Sequence, residues 1–181
     1  MKLTEHTVAI KPSMFPVFRA DGGAIYWLQP RIQSKELDVI VTDARDGHEL
    51  SRHTLSDFPS VIQTSAFLDA NRLVIGSDSM DFRVINLAEG RWESTVLGSS
   101  NQRVFTVTPD SRRIVSIGAP YLTFWNIATG EKLNEIPGAP SFWPPRGITI
   151  RADGKRIAAV GVRGQIRLWW TKSRSLETVG K

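Results

Sequence analysis

Three histidines, His6, His48 and His53, are the side chains best suited to metal binding or general-base work, and all fall in the first third of the chain. Two metal ligands on one strand must be two residues apart to share a face, and zinc sites draw on cysteines or closely spaced histidines. His48 and His53 are five residues apart and the chain has no cysteine, so surface or packing roles are expected of them. The sequence holds no Gly-x-Ser-x-Gly, no His-Glu-x-x-His and no Gly-rich loop opening a helix. Gly22-Gly23 follows Asp21 as a hairpin turn does, not as a phosphate cradle. The acidic residues Asp78 and Asp81 sit in a polar loop, where solvation is expected over cation binding. No catalytic residue, metal site or cofactor is assigned.

Interaction chemistry is better motivated. Pro140-Ser141-Phe142-Trp143-Pro144-Pro145-Arg146 places two aromatics and an arginine in a stiff segment. Trp and Arg are the usual anchors of protein interfaces, which makes Trp143 and Arg146 candidate partner-binding residues. The competing reading folds Trp143 back over a sheet edge. Charge is uneven along the chain: residues 1–90 hold 9 Lys/Arg and 12 Asp/Glu, whereas residues 91–181 hold 14 and 6. A basic half can attract an acidic protein, a nucleic acid or an anionic surface. Arg112, Arg113, Lys155 and Arg156 are the candidate basic patch, but no base-stacking aromatics are interleaved with them, which disfavours nucleic acid.

The elements that must position these residues are short strands. In 103–138 four runs, Val104 to Val107, Ile114 to Ile117, Leu122 to Ile127 and Glu131 to Ile136, end at Pro, Asp, Gly or Asn turns. Such runs are hairpin-linked antiparallel strands, and no window carries a helical period. The pattern recurs. Asp21, Asp69, Asp110 and Asp153 each sit between two apolar runs, at intervals of 48, 41 and 43 residues. A second marker, Asp43 to Gly47, Asn86 to Gly90 and Asn126 to Gly130, repeats in phase. In each the Asp or Asn side chain caps a turn and the Gly supplies a positive φ. Two markers in phase near 40 residues, with four strands per unit, are the signature of propeller blades.

These units resemble WD40 repeats. The closest stretch is Arg146 to Trp169, strand, Asp153-Gly154 turn, strand, Gly-containing turn and Ile166-x-Leu168-Trp169; Phe124-Trp125-Asn126 is next. The resemblance covers about Phe15 to Lys181, with approximate repeats 7–55, 56–98, 99–138 and 139–181. It implies an all-β propeller of antiparallel four-stranded blades, with Thr7 to Ile10 as an outer strand and Ser175 to Val179 completing or pairing with the last blade. The departures are plain. Linkers lack the family's Gly-His pair, Trp170 replaces the Asp after Trp169, and Ile85 and Thr42 stand where other units have Trp. The hydrogen-bonded brace of many such blades is therefore expected to be missing, leaving apolar packing between sheets.

Four blades leave two bare apolar faces unless something covers them. Two chains can pair into an eight-bladed ring, a longer chain or another protein can complete a seven- or eight-bladed ring, or four blades can close tightly. In the resembling family, second-hairpin loops rim one face of the ring, which puts Tyr121 and Arg163 there and the basic patch on the opposite face. The expected function is a non-catalytic scaffold that binds another protein. Anion or nucleic-acid binding through the basic half is the alternative, and an enzyme with an axial site is third. Residues 1–11 carry Glu5 and His6 and no apolar core, and no run of about 18 apolar residues occurs, so a cytoplasmic location is expected.

Overall fold

In the computed structural model the described residues are 15–19, 21–58, 61–77, 81–97, 104–118, 120–137 and 145–171. They form four antiparallel sheets, each contiguous in sequence, and contain no helix. The first sheet comprises β1 (Phe15–Phe18), β2 (Ala24–Arg31), β3 (Glu36–Asp43) and β4 (Glu49–Leu55). The second comprises β5 (Ile62–Phe67), β6 (Arg72–Ser77), β7 (Asp81–Asn86) and β8 (Arg91–Leu97). The third comprises β9 (Val104–Val107), β10 (Arg113–Gly118), β11 (Tyr121–Asn126) and β12 (Lys132–Pro137). The fourth shows β13 (Pro145–Ile150), β14 (Arg156–Gly161) and β15 (Ile166–Trp170). Each is a meander in chain order. The expected strands at Thr7 to Ile10 and Ser175 to Val179 lie outside the described residues.

The turns explain why the strands start where they do. In the first hairpin of each sheet an Asp carboxylate accepts the amide two residues on: Gly23 to Asp21 at 2.9 Å, Asn71 to Asp69 at 2.9 Å, Arg112 to Asp110 at 3.1 Å and Lys155 to Asp153 at 2.9 Å. After the third strand Asp43, Asn86 and Asn126 accept the amides of Arg45, Ala88 and Ala128 at 2.8, 3.1 and 2.9 Å. Gly47, Gly90 and Gly130 follow with φ of 77°, 60° and 72°, a region that side chains with a Cβ rarely enter. A bulge follows each of these turns on the fourth strand, at Leu50, Glu93 and Leu133. The 48-residue interval after Asp21 comes from a longer second hairpin in the first unit, whose extra residues extend the strands. β2 and β3 reach eight residues each and end in a turn with Lys35 at φ 56°.

The core lies between sheets. Tyr26, Leu28, Leu37 and Val39 of the first sheet pack on Ile62, Leu73, Ile75 and Ile85 of the second. Val74, Phe82 and Val84 of the second pack on Phe105, Ile114 and Trp125 of the third. Val115, Ile117, Leu122 and Phe124 of the third pack on Ile157, Ala159 and Trp169 of the fourth. Strand alternation puts one set of side chains toward the preceding sheet, the trailing face, and the other toward the next, the leading face. The first strands of successive sheets run beside one another, β1 by β5, β5 by β9 and β9 by β13.

Polar links supplement this packing. The Trp125 indole donates to the buried Ser116 Oγ at 2.7 Å, a single bond rather than the longer network that braces many WD40 blades. Trp27 likewise donates to Thr42 Oγ1 at 2.9 Å. A buried indole N–H needs an acceptor, and a neighbouring hydroxyl within the same sheet supplies it.

Candidate functional site

The first-hairpin turns collect at one end of the stack. Ser111 donates to the Leu68 carbonyl, joining the third sheet's turn to the second's. A Cβ placed on Gly154 would stand 3.9 Å from Pro109 Cδ, so the turns of the third and fourth sheets also abut. This end holds Arg112, Arg113, Lys155 and Arg156. The turns of the third and fourth sheets are neighbours, and their arginines have different surroundings. Arg156 lies over the Trp170 ring, 5.8 Å from its centroid, on the outer side of the fourth sheet. Arg112 and Arg113 instead border a cavity of about 700 Å³ between the second and third sheets, with Arg72, Val84, Glu93 and Leu133 among its walls.

Register relates the arginines at this end. Arg72, Arg113 and Arg156 each open the second strand of their sheet, paired with Asn86, Asn126 and Trp170. Arg72 is held by Asp69 at 2.7 Å and by Glu93 at 3.5 Å. At the equivalent bulge the third sheet has Leu133 in place of Glu93. Asp110, the counterpart of Asp69, is engaged by the Thr108 hydroxyl at 2.5 Å and the Arg112 amide at 3.1 Å. Those bonds, the Thr108 hydroxyl first, hold Asp110 below the ordinary carboxylate range despite some burial. Among the described residues neither Arg112 nor Arg113 has a carboxylate within 4.0 Å. Arg72, Arg112 and Arg113 all line this cavity, and the last two have no bridging carboxylate among the described residues, a set that suits a carboxylate- or phosphate-bearing ligand. Arg72 and Glu93 were missed at the sequence level, although aligning the repeats puts Arg72 in the Arg113 column.

The opposite end holds the other candidates. Tyr121 opens β11 and is 41% exposed. Arg163 is exposed in the turn between β14 and β15, and Arg146 is exposed at the start of β13. Pro145 pairs with Gly161, which puts Arg146 at the same end of the fourth sheet as Arg163. Trp143 lies outside the described residues.

His48 and His53 take local roles. His48 Nδ1 lies 2.6 Å from Asp46, and a Cβ on Gly90 would stand 2.7 Å from His53 Nδ1, so His53 packs against the second sheet's turn. Asp43, Asp46 and His48 have ligand atoms within 4.8 Å of one another, a grouping that the turn geometry accounts for without an ion. Asp81 is bound to Arg83 at 3.0 Å, and Asp78 lies outside the described residues.

The third feature is the leading face of the fourth sheet. Ile166, Leu168 and Trp170 are 71%, 50% and 44% exposed, with Val160 beside them at 37%. No other described part of the chain concentrates as many exposed apolar side chains.

No protein-family model matches this sequence, and no curated protein does. Among the described residues no helix is long and apolar enough to cross a membrane.

Proposed function

We propose that the chain is a non-catalytic scaffold, built of four propeller blades similar to WD40 repeats, that binds another protein. Repeated Asp- and Asn-capped turns, in-phase sheets and side-by-side first strands support the blade reading. The observation that carries the function is the bare leading face of the fourth sheet. A contiguous apolar patch on a soluble protein marks an interface. The capped turns and three apolar layers hold that face rigid, so little conformational entropy is lost on docking.

Binding of an apolar dye, read beside light scattering, tests this reading. The purified chain should either form a defined assembly or light up the dye, and Leu168→Glu should abolish whichever is seen while far-UV circular dichroism stays the same. A monodisperse, dye-silent monomer would refute the scaffold.

A second reading rests on the cavity between the second and third sheets. Arg112 and Arg113 there favour an anionic ligand. Binding of a polyanion such as heparin should weaken steeply with salt and be lost in Arg112→Ala/Arg113→Ala. Salt-independent binding, or binding that survives the double substitution, would remove it.

A further inference from the structure

Resting on the scaffold reading, the geometry points to a second copy of this chain as the partner. The leading face of one copy's fourth sheet receives the trailing face of the other copy's first sheet, and the same contact forms twice.

The sheets repeat in register, so equivalent columns can be compared. On leading faces Val74 pairs with Val84 in the second sheet, Val115 with Phe124 in the third and Ala158 with Leu168 in the fourth. One column further along, Ile117 pairs with Leu122 and Val160 with Ile166. Val74, Val84, Val115, Phe124, Ile117 and Leu122 are at most 4% exposed, each lying in a layer closed by the next sheet. Leu168 and Ile166 hold the same positions at 50% and 71%. The fourth sheet therefore carries the side chains of a covered face, without a cover among the described residues.

What covers such a face elsewhere in the chain is always a trailing face. It presents Leu73 opposite Ile85, Ile114 opposite Trp125, or Ile157 opposite Trp169. The first sheet presents Ile25, Trp27 and Phe18 on that face, over Ile40 and Thr42, which are already buried, and beside Asp38 with its Arg31 and Arg52 partners. No described sheet packs on it, and Phe18 is 62% exposed. Among the described residues the fourth sheet thus has a bare leading face, and the first sheet has a trailing face that no described sheet packs on, apolar at Phe18, Ile25 and Trp27 and polar around Asp38.

Charge agrees. Residues 15–58 carry seven Asp/Glu against five Lys/Arg, and residues 145–171 carry one Asp against six Lys/Arg. A head-to-tail pair brings the acidic end of each copy to the basic end of the other, whereas two fourth sheets face to face would oppose like charge. Head-to-tail contacts that close on two copies cover both of these faces in both chains.

Sedimentation equilibrium of the wild-type chain should give twice the 20.2 kDa of one chain. Leu168→Glu and Phe18→Glu alter exposed side chains on the two opposed faces, and each alone should give a monomer. Mixing the two variants should restore a pair, because one of the two contacts then has both faces intact; this recovery also shows that each variant is folded. A wild-type pair that Phe18→Glu leaves intact overturns the head-to-tail contact, and a ladder of larger species overturns closure by two. A wild-type monomer that binds the apolar dye overturns self-pairing while leaving the scaffold reading standing, and a dye-silent monomer removes both.

Discussion

The two outward faces of the stack solve the same problem in opposite ways. On the first sheet Asp38, with its side chain only 1% exposed, accepts from Thr54 Oγ1 at 2.9 Å and pairs with Arg31, with Arg52 at 3.9 Å. Trp27 is tied to Thr42, so much of this face has satisfied polar partners. On the fourth sheet the outward side chains are apolar, and Arg156 over Trp170 is the one cation stacked on them among the described residues. A face closed by paired charges tolerates water. A face of Ile, Leu and Val exposes area that gains about 25 cal/mol per Å² when covered. The contrast teaches what each face could give the proposed head-to-tail pair: the fourth sheet an apolar drive, and the charged first sheet orientation and partner choice.

The largest expected effect separates a covered column from a bare one with the same chemical change. Leu122→Ala, at a fully buried position between the third and fourth sheets, should cost about 2–5 kcal/mol in urea unfolding. Leu168→Ala on the bare face should cost no more than about 0.5 kcal/mol in the dissociated chain. Equal losses in the dissociated chain would mean that the fourth sheet's outer face is covered from within.

A smaller effect probes the polar face. Asp38→Ala leaves Thr54 without its acceptor and removes the buried carboxylate from Arg31 and Arg52, which keep Glu36 and Glu49. Loss of such a buried group should cost about 1–3 kcal/mol, reduced here because both guanidiniums are half exposed. A neutral or stabilising result in thermal unfolding would show that this face is held by apolar contact alone.

Gly90→Ala ranks next. It places a Cβ at a residue of φ 60° and 2.7 Å from His53 Nδ1, where the first and second sheets meet. Destabilisation of about 1 kcal/mol or more is expected from denaturant midpoints. No change would mean that His53 can swing clear and that this turn adopts another backbone.

Much of this molecule was legible from residue order, for identifiable reasons. Asp and Asn caps act over two residues, so Asp21, Asp110 and Asn126 announce their turns without reference to the rest of the fold. Alternation likewise exposes the layers, because Val115, Ile117, Leu122 and Phe124 must share a face. The cavity was not legible, since Arg72 and Arg113 meet it from different sheets and the swap of Glu93 for Leu133 matters only once the bulges are aligned. Nor was the burial of Asp38, because an acid in a strand reads as solvent-facing until Arg31 and Arg52 are seen to cover it. Arg113 and Arg156 hold the same register column in adjacent sheets, which residue order shows, but the stacking of Arg156 over Trp170 on the fourth sheet's outer face was legible only from the fold.

The smallest effect concerns the caps themselves. Asp43 is held well below the usual carboxylate range, first by the Arg45 guanidinium and then by the Arg45 amide. A depressed pKa stabilises the fold above the unfolded value near ~3.9, and that contribution drains away as pH falls toward the folded value. Asn86 and Asn126 do the same capping in the next two sheets without a charge. Asp43→Asn should therefore keep the turn, change the melting temperature little at neutral pH, and flatten its fall below about pH 4. Melting curves from pH 7 to 2.5 would read this directly. A slope unchanged in Asp43→Asn would place the acid sensitivity at Asp21 and Asp110 instead, whose carboxylates are lowered by Arg19 and by Thr108. The first sheet would then owe its capped turn to geometry alone, as the second and third do.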